Sequence, residues 1–263
     1  MGCRPSHARI LRHPATAQLY IERRRRERFR CYTNHMAAPS ARRVAQRALV
    51  LSAVTMRAYL ENEGAPDTAE YHQRMLAWLG RHPIESELEA VERSFVKAPI
   101  GKLAKKRVTD GIWRSEGLGV LMWALGYGKL PGFATECDQQ RAAKRLGFMH
   151  DPVVLHRPKL VALAERRRYA RLARALHWRL REVRLRSQPL DLVKVARGLP
   201  LVKPLLEAEL PLVDGDLRLG RRAIHRASVA EVQNALSIAA ERHVAANWLM
   251  GDAVAYSEVD TPT

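Results

Sequence analysis

Arg114 and Glu116 stand at the entrance to the most apolar stretch of the chain, Gly117-Leu-Gly-Val-Leu-Met-Trp-Ala-Leu-Gly126. Far downstream, Glu241, Arg242, His243 and Asn247 sit near the end of the last helical segment, with His243 and Asn247 continuing its apolar stripe. A charge carried into an apolar interior must find a partner or lose its proton balance. The two polar groups are therefore expected to meet. Their meeting has two readings. One is an ion-pair and hydrogen-bond cluster that fixes helix packing. The other is a small polar pocket, built from Arg114, Glu116, Glu241, His243 and Asn247, in which Glu116 orients His243 as a general base. Trp113 and Trp248 flank the cluster and read as core.

Other chemical signatures fail on spacing. Gly101-Lys102 lacks the upstream glycine of a phosphate loop, since Val96 holds that position, and Leu103 follows where a hydroxyl is needed. Gly126-x-Gly128 follows a helical pattern, not a strand, so it is no dinucleotide fingerprint. Ser94-x-x-Lys97 is without the companion motifs of a penicillin-binding nucleophile. His150-Asp151 is followed at once by Pro152, which excludes a mid-helix metal pair. The 10 histidines show no metal-ligand spacing, so neither a metal site nor a cofactor is expected.

The elements that must position the cluster are helical. From Ser40, residues Val44, Ala48, Leu51, Val54 and Ala58 recur at three- and four-residue intervals to about Asn62, where Gly64 and Pro66 intervene. Asp67-x-x-Glu70 and Ser86-x-x-Glu89 read as capping boxes for two shorter helices, the second turning Leu88, Val91 and Phe95 inward. Pro99–Arg107 reads as a basic loop. The segment 110–127 is apolar on every side after Glu116, and a helix apolar all round is buried all round. Gly117 and Gly119 within it imply close contact with a neighbouring helix. A shorter helix follows with Thr135 as its N-cap, then a long one from Pro158 to about Arg186, two short pieces over 189–208, and a β-hairpin or meander near 212–224 around Asp214-Gly215. Ser228-x-x-Glu231 opens the last helix.

The 263 residues carry 45 basic and 27 acidic side chains, a net +18, and 36 of the basic residues are arginine. Residues 1–35 alone hold nine Arg against two Glu; they read as a disordered, Arg-rich leader ahead of one domain over 36–263. The helix at 157–186 carries a second arginine stripe. A solvated face accounts for it, and a nucleic-acid surface using Arg167, Arg171, Arg174 and Arg181 is the functional alternative. Cys3, Cys31 and Cys137 form no close pair, which fits a reducing cytoplasm and argues against a zinc site. No apolar run approaches a membrane span, so no membrane partner is expected.

Three blocks resemble a bacterial family known as domain of unknown function 4272: Ile112–Gly126, Asp214-Gly-Asp-Leu-Arg-Leu-Gly220 and Glu241–Gly251. The closing Ser257–Thr263 is similar to that family's usual ending, although the family often has Trp-Asp where this chain has Tyr256-Ser257. The resemblance covers roughly 40–263. It implies a fold but no reaction, and it singles out Trp113, Arg114, Glu116, Glu241, His243, Asn247 and Trp248. The expectation is a mainly α, single-domain multi-helix bundle with a buried central helix and a small β-hairpin or meander. The leading functional reading is a cytoplasmic interaction module with a protein partner. The alternatives are a small hydrolase-like enzyme using the Glu/His/Arg pocket and a nucleic-acid-binding protein.

Overall fold

Two extensively buried helices set the architecture. The structure, a computed structural model, describes residues 37–263; the leader expected over 1–35 lies outside them. Helix α1 (Ala41–Glu63) starts where Ser40 accepts a hydrogen bond from the Arg43 amide, and stops at Gly64, whose φ of 60° supplies a left-handed cap. Helices α2 (Thr68–Arg81), α3 (Ala90–Lys97) and α4 (Lys105–Ala124) follow. Val44, Ala45, Leu49, Val50, Leu51 and Ala53 of α1 are all buried, so the helix hides every face, not the single stripe its periodicity suggests. Helix α4 buries Ser115 through Met122 against it, as expected of the central helix. Helix α5 (Gln139–Leu146) closes this first core.

A second core gathers helices α6 (Leu163–Arg186), α7 (Leu192–Ala196), α8 (Lys203–Glu207) and α9 (Val229–Leu249) with a three-stranded antiparallel meander. Its strands are β1 (Leu212–Val213), β2 (Asp216–Leu219) and β3 (Arg222–Ala223). Leu212 faces Leu217, and Leu219 faces Arg222. Asp214 and Gly215 both have positive φ, which is what a two-residue hairpin turn demands. Packing runs from α1 to α4, from α4 to α9 and from α9 to α6. Helix α9 thus joins the two cores. It begins at the expected capping box, in which Ser228 and Glu231 exchange side-chain and backbone hydrogen bonds.

Several boundaries differ from the sequence reading. Asp67 precedes α2 without a side-chain cap. The box at α3 is Glu89 with Glu92, because Glu85–Glu87 form a separate 3₁₀ turn; the shift leaves Val91 on the surface. Helix α4 starts at Lys105, inside the expected basic loop, since Lys105, Lys106 and Arg107 are good helix formers with no proline among them. Asp138, not Thr135, caps α5, and α6 starts at Leu163, beyond Pro158.

Arginines enter both cores. Arg47 of α1 is buried and donates to Glu92 at 2.7 Å. Arg57 reaches Glu61 at 2.9 Å and the Ala98 and Pro99 carbonyls. Arg179 of α6, expected on a solvated face, is buried against Asp216 of β2: its Nε lies 2.9 Å from Oδ1, and its terminal nitrogen bonds the other carboxylate oxygen. This two-pronged pair ties the meander to α6.

Gly117 and Gly119 do mark close approaches; Leu51 of α1 would touch a Cβ on Gly117, but the tightest neighbours are Tyr256 and Cys137. A Cβ on Gly117 would collide with the hydroxyl of Tyr256, and one on Gly119 would stand 2.8 Å from the Cys137 sulfur. Tyr256 is buried with its hydroxyl unpartnered, between the Arg47 and Arg114 guanidiniums at 5.5 and 5.7 Å from its ring centre. Gly117→Ala should therefore cost about 1–3 kcal/mol in urea unfolding. Tyr256→Phe should be close to neutral and should rescue Gly117→Ala, because only the hydroxyl stands inside contact range; additive losses would contradict this packing. Asp216→Ala, which strands a buried guanidinium, should cost about 3–5 kcal/mol in the same assay.

Candidate functional site

Of the polar groups expected to converge, Arg114, Glu116 and Glu241 lie at the interface of α4 and α9, whereas His243 and Asn247 of α9 face other partners. Arg114 of α4 donates to Glu241 of α9 at 3.1 Å. Burial raises the Glu241 carboxyl above the usual range, and Arg114 pulls it back. Glu116 does not meet His243. Its Oε2 accepts from Arg242 at 2.9 Å, and its Oε1 accepts from the Cys137 amide at 2.8 Å. Asn247 donates to the Asp260 carbonyl at 3.1 Å. The reason is helical geometry: successive residues on α9 are turned by about 100°. Glu241 meets α4, Arg242 reaches Glu116 and the 131–135 loop, and His243 meets α6.

There His243 meets His177, Nδ1 to Nδ1 at 3.0 Å. One ring must donate and the other accept. The Nε2 of His243 is buried without a partner. A bare acceptor is less costly there than a bare N–H, so His243 is assigned the Nδ1–H and His177 the accepting nitrogen. Both rings stay neutral. Burial, with help from Arg181, lowers His177 to about 4; burial, His177 and Arg174 lower His243 to about 3.

The arginine stripe of α6 is divided. Arg167 and Arg171 are exposed. Arg181 donates to the carbonyl and hydroxyl of Thr263 at 2.7 and 3.1 Å. Arg174 is half-buried, and its charge bears on His243.

Beside the ion pairs opens a cleft of about 510 Å³, where the 130–133 loop, α6, the end of α8 and α9 surround the end of α4. Such a volume suits a small ligand. Trp123 and Tyr169 form one wall, their rings tilted with centres 4.9 Å apart; Phe133, Leu172 and Leu176 extend it. Arg242 stands on its floor and is saturated. Besides Glu116, it donates to the carbonyls of Pro131, Gly132 and Thr135 at 3.3, 3.0 and 2.7 Å. Burial pushes the Tyr169 phenol up to about 12. The nearby Cys137 thiol rises to about 12 by burial and the Glu116 charge. Both groups are protonated and unreactive at neutral pH.

Sequence reasoning missed this cleft. Trp123 belongs to the apolar block of α4 and Tyr169 to α6, and nothing in their spacing shows that α8 leaves a gap over them. Arg242 adjoins Glu241 in the sequence, but nothing in its spacing distinguishes it as the partner of Glu116. Among the described residues, no group of three or more His, Cys, Asp or Glu could hold a metal ion, and no helix is long and apolar enough to cross a membrane.

The sequence model of the family described as domain of unknown function 4272 matches residues 30–196. The chain belongs to this family. The match takes in the Ile112–Gly126 block and ends ahead of the meander and α9, so in this member of the DUF4272 family Arg242 and His243 come from beyond the matched span. No curated protein and no solved structure matches the chain.

The histidine pair makes this DUF4272 protein acid-sensitive. Unfolded imidazoles titrate near 6.5, whereas the folded ones refuse the proton down to about 4 and about 3. The unfolded chain thus binds more protons as pH falls below about 6.5, and stability drops until the folded values are reached. Urea unfolding should lose on the order of 3 kcal/mol more between pH 7.5 and 4.5 for the wild type than for His177→Leu/His243→Leu. Parallel pH profiles would show that the pair carries no proton linkage.

Proposed function

We propose that this chain is a cytoplasmic, non-enzymatic interaction module, working as one domain over 36–263, that binds a compact, partly apolar group in the cleft beneath α8. The observation that carries the reading is the open aromatic wall of Trp123 and Tyr169 above a floor whose polar atoms are already bonded. A recess lined mostly by apolar side chains, with few polar groups at its edge, is how proteins take up small ligands and anchoring side chains. Placement in a reducing compartment is supported by Cys137, a free thiol packed against Gly119.

The hydrolase reading loses its machinery. Glu116 is engaged by Arg242 and a backbone amide, His243 is held neutral by burial and by its neighbour His177, and Tyr169 keeps its proton. A general base needs a pKa near the working pH and a reachable substrate proton; neither histidine lines the cleft. The nucleic-acid reading retains only Arg167 and Arg171 of its four arginines as simply exposed groups, with Arg181 occupied by Thr263.

Uncharged fluoroaromatic probes, 5-fluoroindole and 4-fluorobenzyl alcohol, should broaden in fluorine NMR on addition of the full chain. Ala208→Trp, which places a bulky ring at the cleft edge, should abolish the broadening without lowering the thermal midpoint. Leu172→Gln should weaken it through the polar wall. Undiminished broadening in both variants, or none in the wild type, would refute the cleft as the binding site.

A further inference from the structure

The geometry points to an organic cation with an apolar body, a small arylalkylamine protonated at pH 7, as the ligand class of the cleft. This rests on the cleft being a binding site. An arginine on a pocket floor ordinarily suggests an anion, because a guanidinium offers a fork of donors to carboxylate or phosphate. Here that fork is spent. The Nε of Arg242 goes to Glu116 at 2.9 Å, one terminal nitrogen to the Pro131 and Gly132 carbonyls, and the other to Thr135 at 2.7 Å. With Glu116 beside it, the floor is electrically neutral.

The mouth is acidic. Glu165, Glu207 and Glu209 line it with a single exposed counter-charge, Arg168. None of the four makes an ion pair among the described residues. The excess of carboxylates runs against the chain as a whole, in which 45 basic residues outnumber 27 acidic ones. On a chain of net positive charge, such a patch draws cations locally and repels anions where the cleft opens. Glu209 has a φ of 50°, a left-handed conformation uncommon for a non-glycine residue. It is one of four such described residues, and the one that lines the cleft.

The wall supplies the second half of the recognition. Trp and Tyr faces attract a cation through the ring quadrupole, Trp most strongly, and the attraction grows as water is excluded. Trp123 and Tyr169 are both half-buried and both line the cleft. The phenol of Tyr169, kept protonated by burial, adds a neutral polar end and no charge of its own at pH 7. An ammonium at the acidic mouth with an aromatic body on this wall satisfies both halves. A carboxylate would face Glu207 and Glu209, with the Arg242 fork below already spent.

Three matched probes test it on the full chain at pH 7 by ¹H–¹⁵N chemical-shift titration: phenethylamine, 2-phenylethanol and 3-phenylpropionate. The amine should bind at least about 5-fold more tightly than the alcohol, and the carboxylate most weakly. Glu207→Gln/Glu209→Gln should remove the preference for the amine while leaving the alcohol unchanged, and added salt should weaken the amine alone. Equal affinities for the three probes in the wild type, or an amine affinity unmoved by the double substitution, would overturn the ligand class while the cleft itself stands. Failure of all three to shift cleft resonances would overturn the cleft reading on which the ligand class rests.

Discussion

Everything at the junction of the two cores depends on one buried ion pair. Arg242 and Glu116 neutralise each other, and the remaining donors of the guanidinium are absorbed by the 131–135 loop. Removing either charge would strand the other in a low-dielectric interior, a far larger penalty than the pair's net worth. The pair therefore serves as a clasp. It holds α9 to α4, holds the loop over α4, and through the Cys137 amide fixes the approach to α5. The cleft exists because the loop is held in that position.

The same device recurs. Arg47 among Glu87, Glu89 and Glu92, Arg57 with Glu61, and Arg179 with Asp216 each replace a hydrophobic contact by a charged one with many donors satisfied. The arginine richness of this chain thus has a partly internal destination. A guanidinium can bond several carbonyls while keeping its stem in apolar surroundings, which lysine cannot do with the same reach. Such pairs contribute little to net stability against a well-packed apolar alternative, but any packing that separates the partners leaves a buried charge uncompensated.

The helical layout was legible because periodicity and caps act locally. The α4 block had no polar side after Glu116, and the Ser228–Glu231 box marks its helix unambiguously. Asp214-Gly215 announced its turn by the φ angles it needs. What escaped was pairing. The sequence placed Glu116 and His243 in one neighbourhood, yet which of Glu241, Arg242 and His243 meets α4 depends on the rotation of α9, and rotation is set by packing that no local pattern encodes. Burial of Arg47, Arg57 and Arg179 escaped for a related reason: an arginine inside an apolar helix looks the same in sequence as one at its edge. The crowding of Glu85, Glu87, Glu89 and Glu92 was a clue to a buried cation nearby. The cleft escaped entirely, being a gap between elements and not a property of any one of them.

Three consecutive residues of α9 make three unrelated attachments: Glu241 to Arg114, Arg242 to Glu116, and His243 to His177. Each attachment accepts only one angular setting of the helix. Together they behave like the tumblers of a lock, in which turning the cylinder by a single residue frees none and jams all. A helix keyed this way resists sliding or rolling by small increments, and the loop bonded to its Arg242 is held with it, which leaves α8 as the cleft wall outside this set of attachments.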